Sequence, residues 1–152
     1  MKHKRFSLVA LACVAVVALL PGCAGTQPDN LGVHDGRLSA CPSSPNCISS
    51  SDSDERHAVA PIVLGGGDGE PLMDRVARAV ESLPGARVVE RTDSYLHAEF
   101  SSRVFGFVDD LECLVDESAR SVQLRSAARL GYWDFGVNRA RAQQLRVLLQ
   151  SP

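Results

Sequence analysis

Past residue 5 the chain contains no lysine: Lys2 and Lys4 stand in the first five residues, and every later cation is an arginine. Such a uniform choice points to genomic base composition rather than to function. It does remove the lysine that a phosphate-binding P-loop needs after its last glycine. From residue 23 onward thirteen arginines face eighteen acids, a formal charge of −5, so there is no basic excess to draw in nucleic acid or anionic lipid by bulk attraction. Long apolar runs are also scarce. The one present, Phe6–Leu20, has 15 residues, short of the ~20 that a membrane-spanning helix requires. No nucleophile elbow and no set of metal ligands can be found, and no cofactor is called for.

What the first residues do contain is a basic start, Met1–Arg5, followed by that apolar run and then Leu20-Pro21-Gly22-Cys23. A short basic region, an apolar core and a small-residue exit describe a secretory signal. The exit resembles a bacterial lipobox, with Leu20 at −3, Gly22 at −1 and Cys23 at +1. The resemblance implies a lipoprotein signal peptide over residues 1–22 and lipid, palmitate included, on Cys23. It also implies a protein held to a membrane of the bacterial cell envelope through that lipid. Ordinary signal cleavage, leaving a soluble secreted domain, is the alternative.

Residues 23–40 are rich in Gly, Pro, Asn and Asp, show no period, and read as a flexible tether. A single domain is expected over 41–152. Its first motif, Cys41-Pro42-Ser43-Ser44-Pro45-Asn46-Cys47, reads as a disulfide outside the cytoplasm, with a redox pair and free thiols as alternatives. Five intervening residues with two prolines argue against a zinc or redox spacing. Asp52 and Asp54 begin like a calcium loop, but Arg56 takes the next ligand position. Gly65–Gly69 lacks the surroundings of a phosphate-binding loop and reads as a plain loop.

Helical spacing of Leu72, Met73, Val76, Val80 and Leu83 predicts a helix over 71–82, opened by Pro71 and stopped by Pro84-Gly85. Four strand-like segments follow, at 87–91, 95–101, 105–115 and 122–128. The turn at 116–120 makes a hairpin of the last two. With one face buried, Val115 opposite Val122 sets Glu112 opposite Arg125, and a slip of two residues sets Asp110 there instead. Residues 139–150 close the chain as a helix, with Asn138 or Asp134 as its cap. The fold class is therefore α+β: a four-stranded, mainly antiparallel sheet with two helices on one face, preceded by a loop-rich N-terminal segment.

Side chains capable of chemistry concentrate near the end: Asp109, Asp110 and Glu112 on one strand, then Arg125, Ser126, Arg129, Tyr132, Asp134, Asn138, Arg139 and Arg141. Two readings stay open. Guanidinium groups beside a helix N-terminus suit a small carboxylate or phosphate ligand. Equally, the arginines pair with the acids and lock the hairpin to the last helix. An enzyme is the weaker reading: Tyr132, Asp134 and His97 are its acid/base candidates, and no His stands beside Ser126 in sequence to activate it. The motifs Cys41-Pro-Ser-Ser-Pro-Asn-Cys47-Ile-Ser-Ser, Phe105-Gly-Phe-Val-Asp109-Asp110-Leu-Glu112 and Arg125-Ser-Ala-Ala-Arg129-Leu-Gly-Tyr132-Trp-Asp134-Phe-Gly-Val-Asn138-Arg139-Ala-Arg141 resemble the domain of unknown function family 1499. The resemblance runs from about Cys41 to Gln150, and Ala128 and Trp133 depart from its pattern. It supports the fold and the envelope setting and brings no activity or cofactor with it. The resulting expectation is a non-catalytic binding or scaffolding domain, its partner a protein or a small anionic ligand and not nucleic acid.

Overall fold

Alternating apolar and polar side chains between residues 86 and 128 build an antiparallel meander; two short strands extend it at one edge, two helices cover one face, and the described N-terminal segment lies on the other. The computed structural model describes residues 24–65, 69–102 and 104–151; the expected signal peptide 1–22 and Cys23 lie outside the described residues, as does part of the glycine loop. In chain order the elements are β1 (Val33–His34), β2 (Arg37–Leu38), β3 (Cys47–Ser49), β4 (Ile62–Val63), α1 (Leu72–Glu81), β5 (Ala86–Arg91), β6 (Tyr95–Ser101), β7 (Val108–Asp116), β8 (Ser121–Ala128) and α2 (Val137–Gln150).

The sheet has six strands, not the four expected. Its order is β3-β8-β7-β6-β5, with β4 also paired to β8, and β1-β2 form a separate two-stranded sheet. The two added strands lie along the outer edge of β8: Ile48 faces Ser126 and Ile62 faces Val122, both antiparallel. At three and two residues these strands are too short to show a period of two in the sequence. Within the meander, Val115 faces Val122, Cys113 faces Leu124 and Glu112 faces Arg125.

One face carries the apolar residues of the pattern. Leu96, Leu111, Leu124 and Val122 are buried there against Leu72, Val76 and Val80 of α1 and Leu145 and Leu149 of α2. At the start of α1, Glu117 accepts the Leu72 N–H at 2.8 Å, placing a carboxylate where the helix presents unpaired donors. After α1, Gly85 has φ +82°, and a Cβ there would stand 3.0 Å from the Ser101 carbonyl oxygen, so the turn into β5 requires glycine.

The opposite face is polar in sequence yet hidden from water. Successive strands align His97, Glu112, Arg125 and Ser49 in one row and Glu99, Asp110, Ala127 and Cys47 in the next. The N-terminal segment covers them. β2 lies against β7 and β8, Leu38 is buried, and the Gly32 N–H donates to Glu112 Oε1 at 2.7 Å. Where the sequence suggests a flexible tether over 23–40, the structure has a hairpin seated on the sheet.

Candidate functional site

Covering the polar face turns ordinary cross-strand ion pairs into buried ones. Glu112 is fully buried; Arg125 Nη1 donates to its Oε2 at 3.0 Å, and Tyr95 Oη donates to its Oε1 at 3.0 Å. Burial first, and then the Glu112 charge, pushes the Tyr95 phenol well above its ordinary range. Alongside, Arg129 grips Asp110 through Nε at 2.8 Å and Nη2 at 2.7 Å, and reaches Glu99 at 2.6 Å. His97 Nε2 lies 2.8 Å from Asp110 Oδ1. Burial alone would raise the Asp110 carboxyl, but Arg129 and then His97 hold it below the usual range. Glu99 is lowered likewise, its burial outweighed by Arg129 and Arg87.

A second network sits under the helices, where α2 begins. Asp134 precedes the helix and accepts the Gly136 N–H at 3.0 Å, the Asn138 N–H at 2.9 Å and Asn138 Nδ2 at 3.0 Å. These donors outweigh the opposing effect of burial and keep its carboxyl below the ordinary value. Asn138, fully buried, also donates to the Asn46 carbonyl at 3.1 Å. Asn46 in turn donates to the Gly131 carbonyl at 2.6 Å. Ser126 Oγ donates to Asn138 Oδ1 at 2.5 Å and accepts from Arg141 Nη1 at 2.9 Å. Neither partner can take the hydroxyl proton, so Ser126 has no base and cannot act as a nucleophile here. Arg141 Nη2 meets Asp109 at 2.7 Å, and its guanidinium lies 4.2 Å above the Phe100 ring.

Next to this network a cavity of about 760 Å³ opens between the residues leading into β7, the turn after β8 and the first turns of α2. Phe100, Ala128 and the Asp109–Arg141 pair line it alongside Phe105, Phe107, Leu130, Trp133, Phe135 and Val137. All six of these last side chains are exposed, Phe135 at 97%, Phe105 at 68% and Trp133 at 64%, while Phe107, Leu130 and Val137 keep somewhat less than half of their surface in water. Phe135 also holds φ +54°, a backbone state that is an outlier for a bulky residue. The turn is nonetheless pinned, by Asp134 from one side and by Asn46 from the other. Asn46 is fixed because the adjacent Cys47 is bonded to Cys41.

The sequence pattern of the family described as protein of unknown function (DUF1499) matches residues 37–149. The chain belongs to this family. No curated protein matches it. The DUF1499 span opens at the first residue of β2 and takes in both networks and the cleft, while Gly32, whose N–H reaches Glu112, lies before it.

Within the DUF1499 domain the residues singled out from sequence divide into separate places. Arg125 and Arg129 lie on the covered polar face, each bonded to acids. Asp109 and Asn138 belong to the network under α2, with Arg141 as the arginine that completes it. Arg139 points elsewhere, donating to the carbonyls of Arg56 at 2.8 Å and Ala58 at 3.2 Å. Tyr132 is exposed and stacks edge-on against Trp133, ring centroids 5.6 Å apart. Arg125, Arg129, Tyr132 and Arg139 therefore do not converge on one anion site. His97 is buried, with its ring against Asp110. Cys113 is buried, and burial pushes its thiol up to about 12. The sequence reading also missed the exposed aromatic wall. The three aromatics between Gly131 and Gly136 fit neither helical nor strand spacing, and that misfit is the signal the sequence carries. Among the described residues no three of His, Cys, Asp and Glu gather as a metal-binding group.

Proposed function

We propose that this is a non-catalytic binding domain of the bacterial cell envelope, held to a membrane by lipid on Cys23, and that it receives an apolar partner in the aromatic cleft. The cleft carries the reading: it presents large apolar side chains to water on a turn fixed by Asp134 and Asn46, and ordinary folding would bury such groups. A rigid turn loses little freedom on binding. Against a catalytic role, Ser126 has no base, and His97 and Asp110 are both buried and bonded to one another, out of a substrate's reach. Against an anionic ligand, Arg125, Arg129 and Arg141 are each bonded to a carboxylate.

Trp133 is the single tryptophan of the chain and lines the cleft, so occupancy is readable in its emission. Titration with a medium-chain alkyl alcohol is expected to give a saturable blue shift that Phe107→Asp weakens. A linear, unsaturable response refutes the cleft. Palmitate labelling that disappears in Cys23→Ser is the expected result for the anchor; processing without lipid refutes it.

A further inference from the structure

The described chain meets the cleft almost at once. A Cβ built on Gly25 would stand 2.9 Å from Arg129 Cβ and 3.0 Å from Leu130 Cγ, and Leu130 lines the cleft. One residue of extended chain covers ~3.3–3.6 Å, so Cys23, two positions earlier, is within about 7 Å of this contact by chain length alone. An anchor on Cys23 thus has almost no slack with which to hold the domain clear of a membrane.

Resting on the reading of Cys23 as the lipidated residue, we infer that the cleft's apolar partner is the surface of the bilayer that holds the anchor. The domain lies on it with Leu130, Tyr132, Trp133, Phe135 and Phe105 set into the boundary between headgroups and acyl chains. The chemistry of the rim fits that boundary. Tyr and Trp pair an apolar body with a polar tip, the combination favoured at membrane interfaces. Phe135, 97% exposed on a left-handed residue, stands out from the turn as a wedge. Among the described residues the charged groups of the cleft are already committed, Asp109 to Arg141 and Asp134 to Gly136 and Asn138, so laying these on lipid strips no bare charge of water. With a formal charge of −5 from residue 23 onward, the domain gains nothing from negative headgroups, so the attraction is apolar and anionic lipid opposes it.

The test uses the full processed chain reconstituted in phosphatidylcholine vesicles, with bromine placed midway along the acyl chains of part of the lipid. Trp133 is the only reporter. Its emission is expected to fall at least about twofold relative to unbrominated vesicles, since a seated rim reaches ~5–10 Å into the boundary. Phe135→Asp is expected to leave the melting midpoint and the co-flotation with vesicles unchanged. Losing one buried Phe should shift the ratio of seated to unseated molecules by about tenfold or more, removing most of the quenching. Co-flotation with unquenched Trp133 overturns the seat while keeping the anchor. Quenching in a chain that takes no palmitate label keeps the seat and overturns the anchor. A chain that neither floats nor shows quenching refutes both.

Discussion

Replacing Arg125 with methionine removes a charge from the covered face while keeping most of the stem that packs there. The change leaves Glu112, which has no exposed surface, without its only cationic neighbour among the described hydrogen bonds. Breaking a buried pair from one side costs ~3–5 kcal/mol, because the remaining charge is stranded. Glu112 Oε1 would still accept from the Gly32 N–H and the Tyr95 hydroxyl, so only Oε2 is stripped. Arg125 Nε, moreover, is buried without a partner even in the intact protein, which lowers what the pair is worth. Both facts put the cost near the lower bound, ~3 kcal/mol. A domain of this size loses roughly 4 °C of melting temperature per kcal/mol, so a fall of about 12 °C is expected by circular dichroism at pH 7. Glu112→Gln and the double variant complete a cycle, whose coupling is expected to exceed about 1.5 kcal/mol. A single variant melting within about 3 °C of the parent, or strict additivity in the cycle, would refute the claim that the ionic face holds the fold.

Three further outcomes are expected. Asp134→Ala removes the acceptor for Gly136 and Asn138 at the start of α2 and should cost ~1–2 kcal/mol in urea denaturation; an unchanged midpoint would show that the turn is held by other means. Asp110, Glu99 and Asp134 all titrate below their ordinary values of 3.8, 4.5 and 3.8. Groups lowered in this way contribute stability that is complete above those ordinary values and is lost as pH falls from them through the lower values held in the folded protein. The urea midpoint should therefore drop below about pH 4.5, and Asp110→Asn should flatten that slope; equal slopes in the two proteins would exclude Asp110 as a source. Joint replacement of Cys41 and Cys47 by alanine opens a small ring and should cost ~2 kcal/mol, read by calorimetry, with no change in the sheet's far-ultraviolet signal.

Much of the fold can be read in the sequence because the meander and both helices are long enough to display a period. Strand β6 occupies the range its alternation indicates, and keeping Val115 and Leu124 on one face narrows the β7–β8 register to two choices, of which the structure takes the one with Val115 opposite Val122. What resists reading is short or remote. β3 and β4 hold too few residues to alternate, and they pair with β8 across more than fifty positions of sequence. The polar row His97, Glu112 and Arg125 looks like a wetted surface because the segment that covers it, 24–46, is rich in residues that usually mark loops. That Arg125 faces an acid follows from the permitted registers; that the acid is Glu112 rather than Asp110 is settled only by the fold. The depth of the pair's burial is not legible either, since that depends on Gly32 and Leu38. The cleft is not legible either: aromatics between two glycines mark a turn, but the positive φ of Phe135 and the hold of Asp134 on that turn are visible only in the folded chain.

The bond from the Gly32 N–H to Glu112 has a mechanical consequence. β7 is the central strand of the meander-built sheet, and Glu112 stands near its middle. Tension drawn through Gly32 is therefore delivered to the innermost strand, where neighbours on both sides share the load, instead of peeling away an outer edge one rung at a time.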